Sequence, residues 1–177
     1  MNETDKPKRK TIRLKEYDYS QNGYYFITLC TYERKRILSD ISRRGGVLLR
    51  PCGRIAEEEI IALTERYGIE IDQYVIMPDH IHLILRIKNP EIRAEQSPAP
   101  TVLKQDKPSV KDMMCAFKSL TTKRVNKHDN CQGRKLWQRS YFEHIIRNED
   151  DYLETKNYII ENPRRWVDNI IKENGGN

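Results

Sequence analysis

Apolar residues gather in four main runs along the chain, and between them lie stretches where apolar positions recur every three or four residues. Residues 24–32 (YYFITLCTY) follow the turn signal Gln21-Asn22-Gly23 and are rich in aromatic and β-branched side chains. That composition predicts a strand. Arg43-Arg44-Gly45-Gly46 predicts a turn, with a short edge strand over 47–50. From Arg54 to Tyr67 the positions Ile55, Glu58/Glu59 and Ala62/Leu63 follow helical spacing, and Gly68 stands where a helix C-cap belongs. Residues 69–77 and 80–87 (HIHLILRI) are two further β-like runs separated by Pro78-Asp79, which predicts a hairpin. Over 109–127, Val110, Met113, Met114, Phe117, Leu120 and Thr121 repeat as one face of an amphipathic helix. Ser109 is its expected N-cap, with Asp112 completing a capping-box-like pair. Residues 141–147 (YFEHIIR) predict another strand. Asn148 then opens a helix to Asn162, and Pro163 is expected to begin a separate short helix carrying Trp166, Ile170 and Ile171 on its apolar side.

This order predicts an α+β protein: one domain with an antiparallel sheet covered by helices. Residues 1–20 are expected to be a basic N-terminal arm, 21–173 the domain, and 174–177 a tail. Residues 88–108 contain four prolines (Pro90, Pro98, Pro100 and Pro108) and neither period, which predicts an excursion inside the domain.

The 177 residues include 32 Lys+Arg and 26 Asp+Glu, a net charge of +6, with 37% hydrophobic and 33% charged residues. No apolar run approaches the roughly 20 residues of a membrane span, and none resembles a secretory signal. Four cysteines without a CxxC pair argue against a zinc cluster or disulfide framework and for a reducing cytoplasm. The charge is unevenly spread. Residues 1–50 carry 12 basic and 6 acidic groups and residues 101–150 carry 11 and 6, while residues 51–100 carry 5 and 9. Two basic blocks flanking an acidic one fit either a polyanionic partner such as nucleic acid or an ordinary solvated surface.

His80-Ile81-His82 narrows the choice. On a strand, alternate side chains share a face, so the two imidazoles point the same way from positions about 7 Å apart. Two histidines so placed can share a divalent cation, each needing an orienting partner on its other nitrogen, or they can be two unrelated strand residues. The longer segment YVIMPDHIHL (74–83) resembles the signature strand of the HUH single-tyrosine transposases, and within them the transposases associated with repetitive extragenic palindromes (REP). Tyr24–Thr28 resembles the first strand of that family, Ala116-Phe117-Lys118-Ser119 its middle helix, and Trp137–Arg147 its last strand. Tyr158-Ile159-Ile160-Glu161-Asn162-Pro163 resembles its nucleophile helix.

The resemblance implies a ferredoxin/RRM-like HUH nuclease fold and a DNA transposase that binds hairpin-forming repeats. It would cleave and rejoin single-stranded DNA through a 5′-phosphotyrosine. Tyr158 becomes the nucleophile, and His80, His82 and Asn162 become ligands of a divalent Mg²⁺ or Mn²⁺ ion. The implied partner is single-stranded or hairpin DNA, the implied state a monomer or homodimer away from membranes, and the implied place the bacterial cytoplasm at the nucleoid. Independently, Tyr158 and Asn162 are spaced i, i+4 and share a helical face. The lack of any GxxxxGK sequence agrees with a reaction that needs no ATP.

Other readings stay open at this level. Tyr152 and Tyr141 compete with Tyr158, and Asn162 before a proline also reads as an N-cap. Insertion-sequence relatives carry Gln where Asn162 stands. His144 reads as a structural hydrogen-bonding residue or a DNA contact, and Asp79 as a turn residue or a support for a histidine. Candidate DNA contacts are Lys111, Lys118 and Thr122 on one helix, Arg34-Lys35-Arg36, Arg139, Arg43-Arg44 and Lys8-Arg9-Lys10, with Tyr17, Tyr19, Tyr32 and Trp137 as stacking candidates. The alternatives in function are a hairpin-binding protein that no longer cuts and a metal-dependent hydrolase. The chain is short for the barrel enzymes that use HxH.

Overall fold

The computed structural model describes residues 18–88 and 108–174. The proposed arm before residue 18, with Lys8, Arg9, Lys10 and Tyr17, lies outside the described residues. So do most of the 88–108 excursion and the last three residues of the tail.

Four strands form one antiparallel sheet in the order β4-β5-β1-β6: β1 Gly23–Cys30, β4 Glu70–Ile76, β5 His80–Ile87 and β6 Phe142–Ile146. A small hairpin of β2 (Ser39–Ile41) and β3 (Val47–Leu49) stands apart from it. The helices are α1 (Pro51–Tyr67), α2 (Val110–His128) and α3 (Glu149–Asn174). The expected α+β architecture is therefore what forms. β5 lies centrally and is covered on both sides, which is why nearly all of its residues are buried instead of alternating.

Side-chain alternation splits the sheet into two faces. Tyr25, Ile27 and Leu29 of β1 join Ile81, Leu83 and Leu85 of β5 in the large core, packed with α1 and α2 residues such as Ile60, Leu63, Met114 and Phe117. The opposite face meets α3 through a much smaller cluster of Phe26, Ile84, Ile146 and Ile159. Both caps form as expected. Ser109 and Asp112 make the reciprocal capping box of α2, and Gly68 ends α1 in the left-handed region at φ 62.

Two expectations are corrected. Helix α1 starts at Pro51, three residues earlier than the periodicity indicated, because proline is pre-organised for the first helical position. Its third residue, Gly53, passes so close to the hairpin that a Cβ there would lie 2.0 Å from the Leu38 carbonyl oxygen. The second correction concerns Pro163. No new helix begins there: α3 runs unbroken from Glu149 to Asn174 with Pro163 inside it. A proline within a helix costs about 3 kcal/mol or more. Here the buried stripe of Thr155, Ile159, Asn162 and Pro163 continues at helical period against the sheet, so packing overrides the local preference.

Candidate active site

The α3-facing side of β1 and β5 is polar at one end. Thr28 pairs with His82 and Cys30 with His80 across the two strands, so all four side chains rise from the same face. Tyr158, Asn162, Arg165, Trp166 and Asn169 face them from α3 across an open cleft of about 520 Å³. These helix residues sit at i, i+4, i+7, i+8 and i+11, a single face that exists only because α3 continues through Pro163.

Each histidine is held at Nδ1. His80 Nδ1 lies 2.5 Å from Asp79 Oδ1, and His82 Nδ1 lies 2.8 Å from Thr28 Oγ1. With Nδ1–H donated to these oxygens, both Nε2 lone pairs are left for the cleft. The ring centroids are 4.6 Å apart, closer than the spacing of their backbone positions because the side chains lean together. His82 is only 4% exposed. Burial, reinforced by the neighbouring His80 and Arg34, pushes its pKa down to about 3, so its imidazole is neutral. Burial by itself would raise the Asp79 carboxyl. The His80 hydrogen bond and the charges of Arg34 and Arg36 outweigh it and hold the group below its ordinary value. Asp79 thus supports a histidine as well as making the turn, where its carbonyl accepts from the Thr31 amide at 2.9 Å and the Thr31 hydroxyl at 3.0 Å.

Tyr158 is 36% exposed at the cleft mouth, with its hydroxyl 3.5 Å from His82 Nε2 and its ring edge-on to Phe26. The competing tyrosines are engaged elsewhere. The Tyr152 hydroxyl donates to the Asp72 carboxylate at 3.0 Å, where a β4 bulge between Ile71 and Gln73 takes Asp72 out of register. Tyr141 packs against the large core on the other face. Asn162 is 8% exposed and lines the cleft, and its carboxamide has no hydrogen-bond partner among the described residues.

No cluster of three or more His, Cys, Asp or Glu that could hold a metal occurs among the described residues. The donor set that faces the cleft is instead two neutral-capable imidazoles and one carboxamide. Each imidazole is oriented through its other nitrogen, and the carboxamide lines the cleft with no hydrogen-bond partner among the described residues, a combination that fits a divalent cation.

The basic candidates separate. Arg34 lies in the cleft, 3.5 Å from Asp79 Oδ2, with a guanidinium nitrogen donating to Cys30 Sγ at 2.9 Å. Glu33 and Arg34 both adopt left-handed backbone, φ 56 and 54, in the tight turn that aims this side chain. Lys35 pairs with Glu33 at 3.2 Å, and Arg36 stacks on Trp166 at 5.2 Å. The Lys118 ammonium donates to the backbone carbonyls of Gln138 and Arg139, and burial lowers its pKa, so it ties a loop to α2. The Thr122 hydroxyl donates to the Lys118 carbonyl within the helix, while Lys111 and Arg139 are exposed. Trp137 is buried, its indole N–H donating to Thr121, and Tyr19 packs on the core. Tyr32 carries the Lys135 ammonium 5.5 Å over its ring, outside the cleft. His144 makes the expected structural bond, to Asp151 at 2.8 Å.

Phe142, Trp166 and Asn169 were missed in the sequence. Extending the Tyr158–Asn162 face past Pro163 would have found the last two.

A model of the IS200-like transposases matches residues 19–94, the span holding β1 and the His80/His82 strand. An uncharacterized protein of Haemophilus influenzae is 32% identical over 169 residues, spanning 89% of each chain. The chain belongs to the IS200-like transposase family. A second H. influenzae protein, which carries the name REP-associated tyrosine transposase, is 27% identical over 149 residues, 82% of this chain and 73% of its own. The solved structure of a REP-associated tyrosine transposase bound to a REP hairpin superposes with a TM-score of 0.54 at 20% identity, covering 86% of this chain and 73% of that one. At that identity it speaks for the fold, which this chain shares. No helix among the described residues is long and apolar enough to cross a membrane.

Proposed function

We propose that this transposase binds hairpin-forming DNA repeats and cleaves and rejoins an adjacent single strand, with Tyr158 as nucleophile. The observation that carries the reading is the meeting of the Tyr158 hydroxyl with His82, beside His80 and Asn162, in one open cleft. Tyr158 Oη attacks the scissile phosphorus. An O–P bond forms to the tyrosine, the bond from phosphorus to the 3′-oxygen breaks, and the departing oxygen takes up a proton as a 3′-hydroxyl. The 5′-phosphotyrosine retains the phosphoester. Attack by a 3′-hydroxyl rejoins the strand and returns the phenol, so no nucleotide cofactor is consumed.

His80, His82 and Asn162 would hold a divalent Mg²⁺ or Mn²⁺ ion. When bound, such an ion polarises the phosphoryl oxygens and stabilises their developing charge. Asp79 and Thr28 keep the two imidazoles in one orientation, and burial keeps His82 neutral and able to ligate. Phe142 and Trp166, at the rim and wall of the cleft, offer faces for unpaired bases.

The test is a labelled hairpin oligonucleotide with a single-stranded flank, incubated with Mn²⁺ and resolved for covalent adduct. Tyr158→Phe should bind the hairpin and fold as the wild type does, yet form no adduct. The double variant His80→Ala/His82→Ala should bind and not cleave. An undiminished adduct from Tyr158→Phe would refute the assignment. Binding by the wild type without adduct on any hairpin would favour the reading of a repeat-binding protein that does not cut.

A further inference from the structure

A second groove, of about 350 Å³, lies between the β2–β3 turn and the far half of α3, lined by Arg43, Arg44, Gly45, Arg164, Asp168 and Ile171. Its walls are built. The turn is closed by Gly45 N–H to the Ser42 carbonyl at 2.8 Å and by Gly46 N–H to the Ser42 hydroxyl at 2.9 Å. Gly45, at φ 81, lies beside α3, where a Cβ would stand in ordinary contact with the Arg164 backbone nitrogen at 3.5 Å.

The charge is what singles the groove out. Many other arginines are neutralised locally, as Arg50 is by Asp40 and Arg124 by Glu58 and Glu59. Arg43, Arg44 and Arg164 make no ion pair with any described residue, and they converge on one groove whose lining holds a single carboxylate, Asp168. Three guanidiniums against one carboxylate leave the groove electropositive, with forked donors suited to phosphate oxygens. Its place relative to the cleft is set by α3. Arg164 is six residues beyond Tyr158, about 9 Å along the axis and about 240° round it, so the groove opens on a different face of the same helix. Arg36, stacked on Trp166 at the cleft wall, adds positive charge on that side.

We propose that this groove is a second nucleic-acid site, in which Arg43, Arg44 and Arg164 hold backbone phosphates of the DNA that the Tyr158 cleft engages. It rests on the DNA-binding part of the proposed function but not on cleavage. The β2–β3 hairpin thereby acts as a clamp that fixes where along the strand Tyr158 meets a phosphate. Because the arginines grip phosphates, they add affinity and register and carry no base specificity.

The test measures hairpin-oligonucleotide binding by fluorescence anisotropy across a salt series. It compares the wild type, Arg43→Ala/Arg44→Ala, Arg164→Ala, the triple variant, and Arg54→Ala as a charge-matched control on the exposed side of α1. Removing one arginine–phosphate pair should flatten the dependence of log affinity on log salt by about 0.7 for a single strand or 0.9 for a duplex. The triple variant should therefore drop by about two units of slope on a single strand and about three on a duplex, and Arg54→Ala by none. Thermal melts of all variants should coincide, since these side chains are exposed. A single neutral methylphosphonate linkage, walked along the oligonucleotide, should at one or two positions weaken the wild type and leave the triple variant unaffected. An unchanged slope in the triple variant, or an equal drop in Arg54→Ala, overturns the proposal. Flattened slopes without any Tyr158 adduct would sustain the groove and refute the cleavage chemistry. Adduct formation with unchanged slopes would do the reverse. Absence of hairpin binding by the wild type would refute both.

Discussion

The two faces of the central sheet are made from the same strands yet do opposite work. Toward α1 and α2, β1 and β5 present Tyr25, Ile27, Leu29, Ile81, Leu83 and Leu85, all essentially inaccessible to water. Toward α3 the intervening residues of the same strands are Thr28, Cys30, His80 and His82, and they border an open cleft. One residue of offset separates the interior from the chemistry. The difference teaches where stability comes from: the α1/α2 side is closed and apolar enough to hold the sheet rigid. The α3 side can then leave a carboxamide without a partner and a tyrosine half in solvent.

The comparison can be broken most directly from the stable side. Phe117 of α2 is fully buried, and Phe117→Ala should lower unfolding free energy by about 3–5 kcal/mol in denaturant titrations. The fraction still folded should form adduct at the wild-type rate. A smaller loss of stability combined with a loss of adduct would mean that the two faces are not separable. A lesser effect is expected on the other side. Thr28→Val removes the oxygen that holds His82 Nδ1, and it should weaken Mn²⁺ binding by about 10–100-fold while the melting temperature barely moves. Calorimetric titration of the metal into the DNA-free protein reads this without reference to cleavage, and unaltered affinity would show that Thr28 does not orient the imidazole. An effect of similar size and opposite sign belongs to α3 itself. Pro163→Ala should raise stability by about 1–3 kcal/mol, since it restores a helical N–H and removes the ring clash. Adduct formation should persist in this variant. Its loss would mean that the proline sets the angle at which Tyr158 and Asn162 approach the histidines.

Much of the α1/α2 side was legible in the sequence because its signals are local. The capping box at Ser109, the glycine after Tyr67 and the stripe from Val110 to Thr121 each depend on residues within a few turns of one another. The His80/His82 pair was equally legible, since period-two alternation alone puts both on one face. The α3 side was less so. Pro163 is a strong local signal for a helix end, and it was outweighed by burial against a sheet distant in sequence. As a result Arg165, Trp166 and Asn169, and with them half of one cleft wall, were not assigned to the site from the sequence. Lys118 and Trp137 turn out to be engaged within the protein for a related reason. A lysine beside an apolar stripe reads as a surface charge, but here it reaches two carbonyls of a loop about twenty residues away.

By itself the sequence determined the four main strands, the helices α1 and α2 with their caps at Gly68 and Ser109, and which residues carry reactive groups at the right local spacing, because each of these is decided over a few covalent bonds. Only the tertiary structure decided that α3 runs through its proline and that Asp79 and Thr28 are the partners of the two histidines. It also decided that arginines from two distant segments, Arg43-Arg44 and Arg164, converge on one groove. Those outcomes depend on which buried surfaces meet across the sheet, and that competition is settled only when the whole core packs.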